Sequence, residues 1–183
     1  MIKESMVINV NNDLGNNVYY TIINKAQLNF KVNENERLET IQSKSVLKFM
    51  MKYLGIREDT ILKTKLGKPY FAYNNIFFNY SHSNNYIACA ISYYNVGIDI
   101  EETSRKVNNT IIKICNFTSE NSLEEFVKRE AYCKLVGKGL AMIFDKDNFK
   151  DIDEISKTIK TDEYICSICC ECPKMLFKYI KIE

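Results

Sequence analysis

Two carboxylates one residue apart, Asp99 and Glu101, and a glutamate–lysine pair four residues apart, Glu130 and Lys134, are the side chains of this sequence best suited to chemistry. In the run Val96-Gly97-Ile98-Asp99-Ile100-Glu101, strand alternation puts the three β-branched residues on one face and Gly97, Asp99 and Glu101 on the other. Two carboxylates then point the same way, beside a glycine that leaves space. Such a pair is either the solvent face of an edge strand or part of a divalent-cation site, since Mg²⁺ and Mn²⁺ take carboxylate oxygens and keep waters and substrate phosphates.

Glu130 and Lys134 stand in a helical pattern from Ser122 to Val136, stopped by Gly137. At about 100° per residue from Leu123, the apolar Phe126, Val127, Ala131 and Cys133 spread over one face, and Glu130 and Lys134 fall near its centre, at about −20° and +20°. An ordinary i,i+4 salt bridge belongs on the opposite, polar face. Two charges in the middle of a packing face cost several kcal/mol of desolvation unless they meet a polar cavity, so the helix is expected to present them to one.

Asn79-Tyr80-Ser81-His82-Ser83 sits where a strand leaves its sheet. A lone histidine at a turn is commonly a surface or capping side chain, yet Ser81, His82 and Ser83 can also donate hydrogen bonds to phosphate oxygens. Gly67-Lys68-Pro69 reads by composition as a turn. In the tail, Cys166 and Cys169 have C-x-x-C spacing, but Cys169, Cys170 and Cys172 are too compressed for a zinc knuckle. On a strand, 166, 170 and 172 share a face that 169 does not, which favours a core strand over a metal or redox module.

These residues need a scaffold of strands and helices. Residues 6–10 and 18–23 read as strands joined by an Asn/Gly turn, and apolar residues from Glu36 to Leu54 recur at helical spacing up to Gly55. Residues 76–81, 86–92 and 96–100 read as an antiparallel meander. Ser122 and Glu125 have capping-box spacing at the start of the second helix. Tyr164 to Cys172 reads as a strand halted by Pro173, followed by another at 176–182. This order makes an α+β fold.

With 46% hydrophobic and 26% charged residues, the 183-residue chain can bury a core and is not a disordered one. Only 6 Gly and 2 Pro leave no room for a long linker. The 25 basic and 23 acidic side chains give a charge of +2, too balanced for a non-specific nucleic-acid binder, so no nucleic-acid partner is expected. No apolar run reaches the roughly 18 residues of a membrane span, and the first residues lack a signal peptide's features, so no membrane association and a cytoplasmic location are expected. Seven cysteines at irregular spacings are read as reduced thiols. The single histidine excludes a His-rich zinc site, leaving carboxylates to hold any hard cation.

Taken in order, Gly67-Lys68-Pro69, FNYSHS at 78–83, VGIDIE at 96–101 and FVKREAYCKLVGKGL at 126–140 resemble the ordered motifs of the Sfp-type 4′-phosphopantetheinyl transferases. The resemblance spans roughly residues 67–140. It implies two similar α+β halves, 1–94 and 95–183, related by a pseudo-twofold, with coenzyme A between them. Asp99, Glu101 and Glu130 would hold Mg²⁺, which Mn²⁺ can replace. Ser81, His82 and Lys68 would contact the coenzyme's phosphates, and Glu130 and Lys134 would be the catalytic pair. The implied activity transfers the phosphopantetheine group to a serine of an apo acyl- or peptidyl-carrier protein, by a monomer.

The chain departs from the family pattern at Phe126, where tryptophan is usual, and at Arg129, where lysine is usual. The stretch from Glu101 to Glu130 is shorter than usual. Arg37 and Lys44 are the candidates for the coenzyme 3′-phosphate. The alternatives are a catalytically degenerate protein that binds coenzyme A or a carrier, and the tail-cysteine module. Zinc or iron content separates the latter from a site holding exchangeable Mg²⁺.

Overall fold

The computed structural model describes residues 15–28, 37–172 and 174–182. Twelve principal elements appear in these segments: β1 (Asn17–Asn24), α1 (Leu38–Tyr53), β2 (Ile61–Lys63), β3 (Pro69–Phe71), β4 (Phe77–His82), β5 (Tyr86–Ser92), β6 (Val96–Glu102), α2 (Asn109–Cys115), α3 (Ser122–Val136), β7 (Ser156–Lys160), β8 (Tyr164–Cys170) and β9 (Leu176–Tyr179). The fold is α+β, as expected from the pattern. One sheet has the order β4-β5-β1-β9, a second β6-β8-β7, and β2 pairs with β3. The strand expected at 6–10 lies outside the described residues.

The first sheet is buried on both faces around β5. Ile87, Cys89 and Ile91 cluster with Val46, Leu47 and Met50 of α1, at the i,i+3,i+4 spacing that makes this helix amphipathic. Ala88 and Ala90 instead join Val96, Ile98 and Ile100 of β6 and Cys166, Ile168 and Cys170 of β8. Alternation along β5 thus builds two cores, and its alanines let the second sheet approach.

The expected meander holds for β4 and β5, which pair from Phe77↔Ser92 to His82↔Ile87, but not for β6. β6 leaves the first sheet and pairs with β8, from Val96↔Cys170 to Glu102↔Tyr164. The cause lies in β5, whose second edge is already taken by β1, from Val18↔Ser92 to Asn24↔Tyr86. With both edges satisfied, β5 offers β6 only a face. The apolar side of β6 packs there, and the polar side is left for α3.

α3 lies against β6 and β8 and buries Phe126, Val127, Ala131, Cys133 and Leu135. Its approach is very close at Gly97, where an added Cβ would stand 2.1 Å from the Ala131 carbonyl oxygen and 2.3 Å from the Leu135 nitrogen. Only glycine fits. The helix ends, as expected, at Gly137 with φ of 72°, but its start corrects the capping-box reading. Asn121 is the cap residue, without a side-chain cap bond, and the Ser122 hydroxyl donates to the Ser119 carbonyl at 3.2 Å. Ser122 is already inside the helix, so its side chain turns back to the preceding turn.

The tail strand ends at Cys170, two residues earlier than expected. β9 then runs parallel to β1 on the edge of the first sheet, from Asn17↔Leu176 to Tyr20↔Tyr179. The Ile180 amide donates to the Tyr20 carbonyl, and the Thr21 hydroxyl donates to the Ile180 carbonyl, both at 2.8 Å.

Candidate active site

Glycine at 97 brings α3 onto β6, and this contact puts a helix carboxylate beside two strand carboxylates. Oxygen atoms of Asp99, Glu101 and Glu130 all lie within 4.8 Å of one another. Asp99 is 1% exposed, so it is no solvent-face residue. Its Oδ1 accepts from the Ser81 hydroxyl at 2.7 Å and from Lys134 Nζ at 2.6 Å, and Lys134 Nζ also donates to Ser81 Oγ at 2.8 Å. The two charges at the centre of the helix face thus meet a polar site. Strand β4 supplies Ser81, strand β6 Asp99, and helix α3 Lys134.

Glu101 is differently engaged. Its Oε2 accepts from the Ser83 hydroxyl at 3.2 Å, and its Oε1 pairs with the Arg105 guanidinium. Asp99 Oδ2 and Glu130 Oε2, by contrast, are buried without a hydrogen-bond partner. A buried carboxylate oxygen without a donor costs free energy. Here two such oxygens belong to one three-carboxylate cluster, the donor set of a hard divalent cation. The residues present therefore fit Mg²⁺ or Mn²⁺. Burial, and next the charge of Asp99, raise Glu130 to about 7, while Lys134 and Arg105 act in the opposite direction.

Two cavities border the cluster, one at Glu130 and the other at Glu101. One, of about 270 Å³, is lined by Lys68, Pro69, Asn79, Tyr80, Glu130 and Lys134 among others. Within it, Asn79 is 3% exposed and its Oδ1 is unpartnered. The other, of about 470 Å³, is lined by Glu39, His82, Ser83, Glu101, Glu102 and Arg105 among others.

Ser81 and His82, adjacent on β4, consequently part company. Ser81 turns to the carboxylates, whereas His82 Nε2 stands 3.6 Å from Glu39 Oε2 of α1. Burial is the largest influence on the imidazole and lowers its pKa, with Glu39 opposing. Arg37 is exposed at the N-cap position of α1, in the same turn as Glu39, and Lys44 lies farther along that helix.

Lys68 lines the first cavity, but its ammonium is engaged. Nζ donates to the Leu135 carbonyl at 2.5 Å, to the Val96 carbonyl at 3.5 Å and to the Asn95 side-chain oxygen. It thereby satisfies a carbonyl at the C-terminal end of α3, where a positive charge is favourable. Burial lowers the pKa of Lys68 to about 8, against the opposing charge of Glu171. The Lys68 stem packs where a Cβ on Gly137 would fall, with its Cδ 3.0 Å away.

Arg105 is the site residue that sequence reasoning missed. It stands four residues after Glu101, but in a turn beyond β6, where helical spacing says nothing of contact. The cysteines behave as core residues. All seven are buried and free, Cys166, Cys170 and Cys172 belong to the core between the sheets, and Cys169 to the core beneath α3. Among the described residues, the group of acidic, histidine or cysteine side chains that can hold a metal ion is Asp99, Glu101 and Glu130.

Comparison with known proteins bears on this arrangement. No protein-family model matches the chain. The chain is 29% identical, over 153 residues, to a protein named 4′-phosphopantetheinyl transferase gsp from Aneurinibacillus migulanus. The match covers 68% of this chain, and the chain spans 64% of the length of that curated relative. No helix among the described residues is long and apolar enough to cross a membrane.

Proposed function

We propose that this chain, a relative of the 4′-phosphopantetheinyl transferases, moves the 4′-phosphopantetheine arm of coenzyme A onto a serine of an apo acyl- or peptidyl-carrier protein and releases adenosine 3′,5′-bisphosphate. The observation that carries the reading is the convergence of Asp99, Glu101 and Glu130, two of them with unpartnered buried oxygens, beside Lys134 and Ser81. Asp99, Glu101 and Glu130 would hold Mg²⁺ or Mn²⁺, which would supply positive charge to offset that of the pyrophosphate. The coenzyme lies between the halves 1–94 and 95–183, whose likeness under a pseudo-twofold is part of the proposal. β9 is lent by the second half to the first sheet.

The chain's own groups have separable tasks. Glu130 takes the proton of the carrier serine as its oxygen bonds to the phosphorus bearing the pantetheine arm. The bridging P–O bond breaks with its electron pair toward the adenosine bisphosphate, and Lys134 offsets the charge on that leaving phosphate. Ser81 holds Lys134 and Asp99 in register. His82 binds a coenzyme phosphate in the second cavity, while Lys68 fixes the end of α3 and forms a wall of the first. The protein works as a cytoplasmic monomer.

The test is to incubate the protein with coenzyme A, Mg²⁺ and a panel of apo-carrier proteins, then weigh the carriers. A mass gain of one phosphopantetheine group, lost in excess EDTA and restored by Mn²⁺, is the expected result. Unmodified carriers throughout, from a protein that still binds coenzyme A, would reject turnover.

A further inference from the structure

We propose that Arg105 is an exchangeable counter-ion of the carboxylate cluster: it holds Glu101 until a phosphate-bearing ligand takes the guanidinium and frees that carboxylate for a divalent cation. The inference rests on the reading of Asp99, Glu101 and Glu130 as cation ligands. Its ground is an asymmetry among the three. Asp99 and Glu130 each keep one buried oxygen without a partner, whereas Glu101 has Arg105 on Oε1 and Ser83 on Oε2. A cation finds two ligands ready. The third must first give up a positive charge that the protein itself supplies.

The surroundings of Arg105 suit an exchange. It follows β6 in a turn closed by its own amide, which donates to the Glu102 carbonyl at 2.9 Å. Its guanidinium lies 4.8 Å over the Phe126 ring, and its side chain is 42% exposed, so it borders the second cavity rather than being locked in a core. The charged and titratable groups lining that cavity are Glu39, Glu101, Glu102, His82 and Arg105. An anion arriving while Arg105 stays on Glu101 meets mainly negative charge.

Transfer of the guanidinium to a phosphate oxygen solves both problems. Arginine's planar fork fits phosphate as well as carboxylate. Once it moves, Glu101 can turn to the cation, and the cation in turn favours the phosphate. Each ligand therefore tightens the other, and by linkage the two effects are equal.

The test measures Mn²⁺ affinity from the free-ion electron paramagnetic resonance signal, with and without saturating coenzyme A. In the unmodified protein, coenzyme A should tighten Mn²⁺ binding by about tenfold or more, within the ordinary range of coupling between sites. Arg105→Met keeps the stem over Phe126 but removes the charge. It should bind Mn²⁺ alone about fivefold more tightly, with the coupling to coenzyme A reduced to about threefold or less. Arg105→Lys, which keeps the charge, should behave like the unmodified protein in Mn²⁺ alone and also serves if the methionine variant does not fold. Unchanged or weaker Mn²⁺ binding by Arg105→Met overturns the proposal, as does a coupling as large as before, or a lysine variant that binds Mn²⁺ alone as tightly as Arg105→Met is expected to. Asp99→Asn separates the two levels: if it leaves Mn²⁺ binding intact, the cation-site reading has failed, and if it abolishes binding while Arg105→Met changes nothing, only the exchange has failed.

Discussion

Glu130 joins two demands in one side chain, since folding would favour it uncharged and the proposed chemistry requires it as a carboxylate. In metal-free protein its pKa is about 7, above the ordinary 4.5, with burial the main cause. A carboxyl group whose folded pKa is raised contributes stability that is fully present below the unfolded value and is lost as pH rises through the folded one. In EDTA, Glu130→Gln should therefore melt higher than the unmodified protein at pH 8, and the difference should shrink toward pH 5. A flat difference across that range would mean that the carboxyl is not held against ionisation. Its kcat, and that of Lys134→Met, should fall by about 10²-fold or more, as when one preorganised electrostatic partner is deleted. The double variant should lose less than the product of the two. His82→Ala should raise KM for coenzyme A with little change in Tm, because its side chain is 41% exposed and has little packing to lose. An unchanged KM would make it an ordinary turn residue. Much of this was legible in sequence, because charge at the centre of an apolar helix face conflicts with packing unless a polar site receives it. Arg105 was not legible, since its contact depends on the path of an irregular turn.

At the scale of elements, the site depends on how closely α3 can lie on β6. Gly97→Ala would drive a methyl group into the Ala131 carbonyl and the Leu135 backbone, neither of which is a flexible side-chain end. Overpacking of this kind costs about 1–3 kcal/mol, and more when backbone must move. Because Glu130 and Lys134 ride on that helix, Gly97→Ala should also weaken Mn²⁺ binding, whereas a loss of stability with unchanged Mn²⁺ affinity would show that the cluster tolerates a shifted helix. The glycine and its two carboxylate neighbours were visible as one strand face. What β6 paired with was not, because pairing depends on which edges are already occupied. β1 takes the second edge of β5, and no local pattern in residues 93–102 records that. The capping box failed for a related reason: its spacing is present, but the helix is entered from Asn121, so Ser122 falls one position too late.

Over the whole molecule, the proposed catalytic constellation draws on the two larger sheets, and the layer between them sets its dimensions. Ser81 pairs with Ala88 across β4 and β5, and Ala88 belongs to the core formed with Ile98 and Ile100 of β6. The small side chain at 88 lets β6 come near enough for Asp99 to receive the Ser81 hydroxyl at 2.7 Å. Ala88→Leu should lower stability by about 1–3 kcal/mol through overpacking, and should also part the sheets. Separation of Asp99 from Ser81 then removes a support of Lys134, so Mn²⁺ affinity and kcat should fall together. Ile180→Ala supplies the comparison. Ile180 is 3% exposed in the other core, beside α1, and its loss should cost about 2–4 kcal/mol by leaving a cavity. A cavity there destabilises the fold without moving β6 relative to β4, so metal affinity and kcat at a temperature where both variants are folded should stay near normal. If Ile180→Ala harms the site as much as Ala88→Leu does, general loosening explains the effect, and the layer between the sheets has no special part in setting the distance from Ser81 to Asp99.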